Sequence, residues 1–296
     1  MWRVLGFSIP AMVLLIIIFS LKANNFIFGH TFSGDESASF LTIAEMVKIE
    51  SQLAQRDLGS NATNAKEHAE HTTEHLTAND TKEINERNPR LATELNNSLS
   101  DFVNIFESQA PSESAVKDMV SNLGDVLSEV VSARIDKEQI DNVTVKALVI
   151  NNLVGESLEH YSSALGMNES NHDENKTLGS NTTENGQNET LIENEAEYQS
   201  AKAAISRSID LYNQIIPSGN TNSTELENSL NSLKDKIDSK SPFDQADRTV
   251  DEKITPLLNS IFKLGLSEES GHSGKRQDNG EEELHASSEN ETLKTD

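Results

Sequence analysis

A chain of 296 residues with 24 Lys+Arg against 49 Asp+Glu carries a formal charge of -25. Such a charge repels nucleic acid and anionic membrane surfaces, which both need a basic footprint. No cysteine is present, so disulfides, thiolate nucleophiles and zinc–thiolate sites are excluded, and an apolar share of 35% implies that part of the chain stays solvated.

Residues 4–21 read VLGFSIPAMVLLIIIFSL, without a charge, between Arg3 and Lys22. A run of this length lies at the border between a secretory signal and a spanning helix of about 20 residues. No A-x-A cleavage pattern follows, and an uncleaved anchor with the body outside is favoured over a cleaved signal. Residues 1–29 are therefore read as a signal peptide or signal anchor, and residues 4–21 as the contact with the membrane. Sequons begin at Asn61, Asn79, Asn96, Asn142, Asn168, Asn175, Asn181, Asn188, Asn222 and Asn290. They become glycosylated only in exported chains. The expected location is the cell membrane with an extracytoplasmic body, or the secreted fraction.

Helical periodicity dominates from residue 37 to residue 266. The first helix starts near Ser37 with Phe40, Ile43, Ala44, Val47 and Ala54 on one face, Asp35 and Glu36 at its positive end and Gly59 past its end. A second helix is predicted over 62–77. A third spans 82–107, with Leu91, Leu95, Leu99, Phe102 and Phe106 as its stripe and Pro89 as an alternative start. A fourth covers 113–135 with Val116, Met119, Leu123, Val126 and Val130. The fifth, 137–165, carries Leu148, Val149, Leu153, Leu158, Tyr161 and Leu165 and has a potential break at Asn142. Residues 167–190 hold six Asn, five acidic residues and almost nothing apolar, which reads as a flexible linker. Helices over 191–216, 224–238 and 243–266 follow, the second with Leu226, Leu230, Leu233 and Ile237 in register. The expected fold is all-α: antiparallel helical bundles, with one unit over 35–166, a second over 191–266, and a disordered acidic tail over 267–296.

The chemistry concentrates in EHAEHTTEH, residues 67–75. His68, His71 and His75 fall within about 60° of helical arc at roughly 100° per residue, and imidazole suits Zn, Cu, Ni or Fe. Against a metal site stands the apolar stripe of the same helix, Ala62, Ala65, Ala69, Thr72 and Leu76. The histidines lie roughly 100° or more from its centre, which points them at solvent or the bundle edge. Glu67, Glu70 and Glu74 lie further round, and a tight structural site wants four converging ligands. At His160 the Glu-x-x-His spacing of di-iron bundles is absent, because Ser157 stands three residues before it. His160 is expected at an edge, paired with Glu156. G-x-S-x-G and phosphate-loop motifs are absent, and the run Glu281, Glu282, Glu283 lacks a calcium-loop pattern.

His71-Thr72-Thr73-Glu74 resembles the His-x-x-Glu of imelysin-like periplasmic proteins, which are helical and exported, although Ala69 replaces the glycine of their Gly-x-His-x-x-Glu. HTFSGDESASFLTIAEMVKIESQLAQRDL followed by NAKEHAEH resembles exported helical proteins of ammonia-oxidising archaea, over residues 30–165. Both resemblances imply export and a helical fold, and neither carries over a functional residue. The favoured reading is a non-enzymatic, membrane-anchored or secreted protein with a structural or interaction role, no cofactor, no nucleic-acid partner and a surface protein as partner. The alternative is an extracellular binder of a divalent transition metal through His68, His71 and His75. A third reading is an extracellular sensor domain.

Overall fold

The computed structural model describes residues 33–107, 111–167, 190–216 and 221–266. Residues 4–21, the predicted linker between 168 and 189, the tail and Asn168, Asn175, Asn181, Asn188 and Asn290 lie outside the described residues. Among the described residues every regular element is helical, as an all-α fold requires. No described helix is long and apolar enough to cross a membrane.

Helix α1, Gly34–Asp57, begins at a capping box: Ser33 Oγ accepts from Glu36 N, and the Glu36 carboxylate accepts from Ser33 N at 2.7 Å. Helix α2, Ala62–Glu74, is capped by the side chain of Asn61. The single helix predicted over 82–107 is two, α3 (Ala78–Arg87) and α4 (Pro89–Glu107). Proline is tolerated in a first turn but not in a helix interior, so the chain breaks at Asn88, whose Oδ1 accepts from Leu91 N. Helix α5 is Glu113–Arg134. The segment predicted over 137–165 does break at Asn142, giving α6 (Lys137–Ile140) and α7 (Val143–Ala164), the second capped by the Asn142 side chain.

Beyond residue 190 come α8 (Glu195–Ile215), α9 (Thr221–Asp238), α10 (Phe243–Thr249), a π-helical turn Val250–Ile254, and α11 (Thr255–Phe262). The helix predicted over 243–266 is thus interrupted. Pro256 has no N–H for the carbonyl four residues back and its ring crowds that carbonyl, so the preceding turn widens.

Helices α1 and α2 run antiparallel, as the short link between them demands. So do α7 and α8: the Ser157 hydroxyl donates to the Ala201 carbonyl while His160 pairs with Glu197. The predicted stripes are the buried ones, from Phe40, Ile43 and Val47 in α1 through Leu95, Leu99 and Phe102 in α4 to Leu226, Leu230, Leu233 and Ile237 in α9. The boundary at 167–190 does not separate two cores. Ala147, Ile150, Val154, Leu158 and Tyr161 of α7 share one cluster with Tyr198, Ile205 and Tyr212 of α8. A further cluster joins Met46, Ile49 and Leu53 of α1 to Val149 and Leu153 of α7 and Ala204 of α8. Helix α7 is apolar on most of its circumference, so it must be covered from several sides.

One buried cation pins α3 and α5 to α1. Arg134 bonds Asp80 at 3.1 Å and Glu83, and its guanidinium carbon lies 3.9 Å from the centroid of the Phe40 ring. Arg134→Ala removes one partner of a buried charge network, so its unfolding free energy in urea titrations is expected to fall by about 3 kcal/mol.

Candidate metal centre

Helices α1, α2, α7 and α8 each send polar side chains into one junction. From α1 comes Glu50, from α2 His68 and His71 with His75 as its C-cap, from α7 Glu156 and His160, and from α8 Glu197 and Gln199. Small residues make this close approach: Ala65 and Ala69 on α2 and Ala196 and Ala201 on α8 are fully buried. All four histidines among the described residues converge here. Glu50 and His68 are 0% exposed, His71 and His75 8%, and His160 9%.

Two sequence expectations are overturned. His68, His71 and His75 do not face solvent. The alanine face of α2 packs on α1 and α4, through Ala65 and Ala69, and its histidine face is covered by Glu50 of α1 and Glu197 of α8. His160 is not an edge residue: its Nδ1 bonds Glu197 Oε2 of α8 at 2.5 Å. The Glu156 carboxylate expected beside it approaches His75 Nδ1 at 4.0 Å. Glu50, Glu197 and Gln199 were not anticipated.

His68 is bonded at both nitrogens. Nδ1 donates to Glu50 Oε2 at 2.7 Å, since the carboxylate has no proton to give, and Nε2 lies 3.0 Å from Gln199 Oε1. His71 sits between two carboxylates, with Nδ1 3.6 Å from Glu50 Oε2 and Nε2 3.6 Å from Glu197 Oε1. Both separations are ion-pair distances, too long for hydrogen bonds. Three buried atoms in the cluster have no hydrogen-bond partner: Glu50 Oε1, His71 Nδ1 and His160 Nε2. Each such orphan costs about 1–3 kcal/mol.

The electrostatics are those of buried carboxylates in search of positive charge. Burial alone would raise Glu50, but His68 and His71, with the charge of His160 behind them, outweigh it and hold the carboxyl well below its usual range. Burial alone would lower His71. Glu50, with the charges of Glu197 and Glu74, overcomes it and raises the imidazole to about 9. His160 is raised in the same way, against burial, by its bond to Glu197 and by the charges of Glu50 and Glu156, while Glu197 is lowered despite its burial.

Three sets of side chains bring one donor atom each within 4.8 Å of one another: Glu50 with His68 and His71, Glu50 with His75 and His160, and Glu67 with His71 and Glu197. The face of α2 carrying Lys66, Glu67, Glu70 and Glu74 lines a shallow acidic depression that reaches His71 and opens the cluster to solvent. A divalent ion entering here would meet imidazole nitrogen and carboxylate oxygen, a donor set suited to Zn, Cu, Ni or Fe. Of the sequons, Asn61, Asn79, Asn96, Asn142 and Asn222 are exposed. Comparison with protein-family models, with curated proteins and with solved structures finds no match for the chain.

Proposed function

We propose that this chain is a helical, extracytoplasmic protein, tethered through residues 4–21, that binds a divalent transition-metal ion between α1, α2, α7 and α8. The observation that carries the reading is the burial of Glu50 among four histidines with unpartnered donor atoms on Glu50, His71 and His160. A cluster built only to be neutralised by protons would place each donor on an acceptor. Here the orphaned atoms are the ones a cation would satisfy, and the charge of -25 concentrates cations around the molecule.

The competing reading is a purely structural or interaction role, with protonated His71 and His160 balancing Glu50 and Glu197. Calorimetric titration of the full-length chain in detergent with Cu²⁺, Zn²⁺ and Ni²⁺ separates the two. Metal binding predicts submicromolar affinity for at least one ion, weakened at least about a hundredfold in the variant with His68, His71, His75 and His160 all replaced by Ala. Weak binding that is equal in both proteins would leave the structural role standing.

A further inference from the structure

We propose that the cluster takes two metal ions, bridged by the carboxylate of Glu50; this rests on the metal-binding reading above. The two fully buried or nearly buried donor sets, Glu50 with His68 and His71 and Glu50 with His75 and His160, have Glu50 alone in common. The imidazoles fall into two pairs on Glu50: among the described residues no donor set combines a histidine of one pair with a histidine of the other. Their rings touch in succession, His68 to His71 at 6.3 Å, His71 to His160 at 6.0 Å and His160 to His75 at 5.9 Å. A carboxylate with one oxygen turned to each half can serve two ions, and two-metal sites place their ions about 3.5–4 Å apart.

Glu50 has the required asymmetry. Oε2 faces His68 and His71 at 2.7 and 3.6 Å, whereas Oε1 is buried without a partner. The charges allow two ions. Glu50, Glu197 and Glu156 supply three negative charges around the rings, and neutral imidazoles supply none. Two divalent ions leave a net charge of one, which a bound hydroxide or a further carboxylate such as Glu67 cancels. Each ion that enters displaces protons from the ring nitrogens it occupies, including the one His68 Nδ1 shares with Glu50, so metal uptake releases H⁺.

The test is Cu²⁺ titration of the full-length chain in detergent, followed by electron paramagnetic resonance. Two bridged ions predict that the second equivalent bound by the cluster lowers the spin count per copper below one and brings up a half-field line. Copper held on His30, His172, His272 or His285 gives an ordinary additive signal and does not mimic this. The His68→Ala/His71→Ala and His75→Ala/His160→Ala variants should each keep one uncoupled equivalent in the cluster. A single equivalent in the wild type that disappears in both variants would overturn the two-ion assignment and leave metal binding intact. Two equivalents with a fully additive signal would overturn it as well. Absence of any tight binding by the wild type would instead remove the functional reading on which it rests. The spin count of the wild type needs no variant, so a variant that fails to fold leaves the test decisive.

Discussion

Glu50→Gln is expected to weaken tight metal binding roughly a thousandfold while leaving the helical content unchanged. Losing a group that only supports a ligand already costs about ten- to a hundredfold, and Glu50 offers a donor atom to both buried donor sets. Glutamine has the same shape and can still accept from His68 Nδ1, so the packing around α1 is kept. It lacks the negative charge that opposes His71 and His160. The metal-free variant should therefore lose about 2 kcal/mol in urea unfolding at pH 6, the scale of a charge-assisted hydrogen bond. Calorimetry for affinity, circular dichroism for fold and urea titration for stability check the three parts. Unchanged affinity with unchanged fold would remove Glu50 from the site.

The second large effect is a pH dependence of stability that added metal opposes. In the metal-free protein the His71 imidazole is raised from 6.5 to about 9 by Glu50 and Glu197 facing it from α1 and α8 and by Glu74 on its own helix. A raised histidine contributes stability that is fully present below its unfolded value and is lost as pH climbs through its folded value. For His71 the window runs from about 6.5 to about 9, and the loss is about 3 kcal/mol. His160 of α7 acts in the same direction. Glu50 and Glu197 are lowered, so their contributions are present above the ordinary carboxylate range and vanish only as pH falls below it. The metal-free chain should thus be most stable near pH 5–6 and lose roughly 6–12 °C of Tm by pH 9. Metal needs the same nitrogens deprotonated. The increase in Tm caused by added Zn²⁺ should therefore grow from pH 6 to pH 9. Thermal unfolding with and without Zn²⁺ across this range reads both trends. A metal-free Tm that stays flat or rises above pH 7 would contradict the assignment of charge to His71.

The apolar frame was legible in the sequence because burial on one side of a helix leaves a period of 3.6. The stripes of α1, α4 and α9 could be read residue by residue, and so could the break at Asn142 and the start at Pro89, though not the separate helix α3 before it. The π-turn before Pro256 was not anticipated, although the proline that forces it was visible. The candidate site was half legible. Its three α2 histidines stood out by spacing, but their direction was misjudged, since one helix does not say how many neighbours flank it. The remaining parts lay on the stripes themselves. Glu50 follows Ile43 and Val47 and precedes Ala54 at helical spacing, His160 occupies the same kind of position between Leu153 and Ala164, and Glu197 precedes Ala201 and Ala204. An acid or histidine on an apolar stripe was the available signal. That these three stripes meet one another is a fact of tertiary packing, which periodicity does not encode.

The most direct test is zinc K-edge X-ray absorption on the full-length chain loaded with Zn²⁺ and freed of weakly held ions. Zinc held in the buried cluster gives nitrogen and oxygen at about 2.0–2.1 Å, with the outer-shell scattering of at least two imidazoles per zinc, and loss of that imidazole pattern in Glu50→Gln. An all-oxygen shell without imidazole scattering, the same in wild type and variant, would contradict metal binding there.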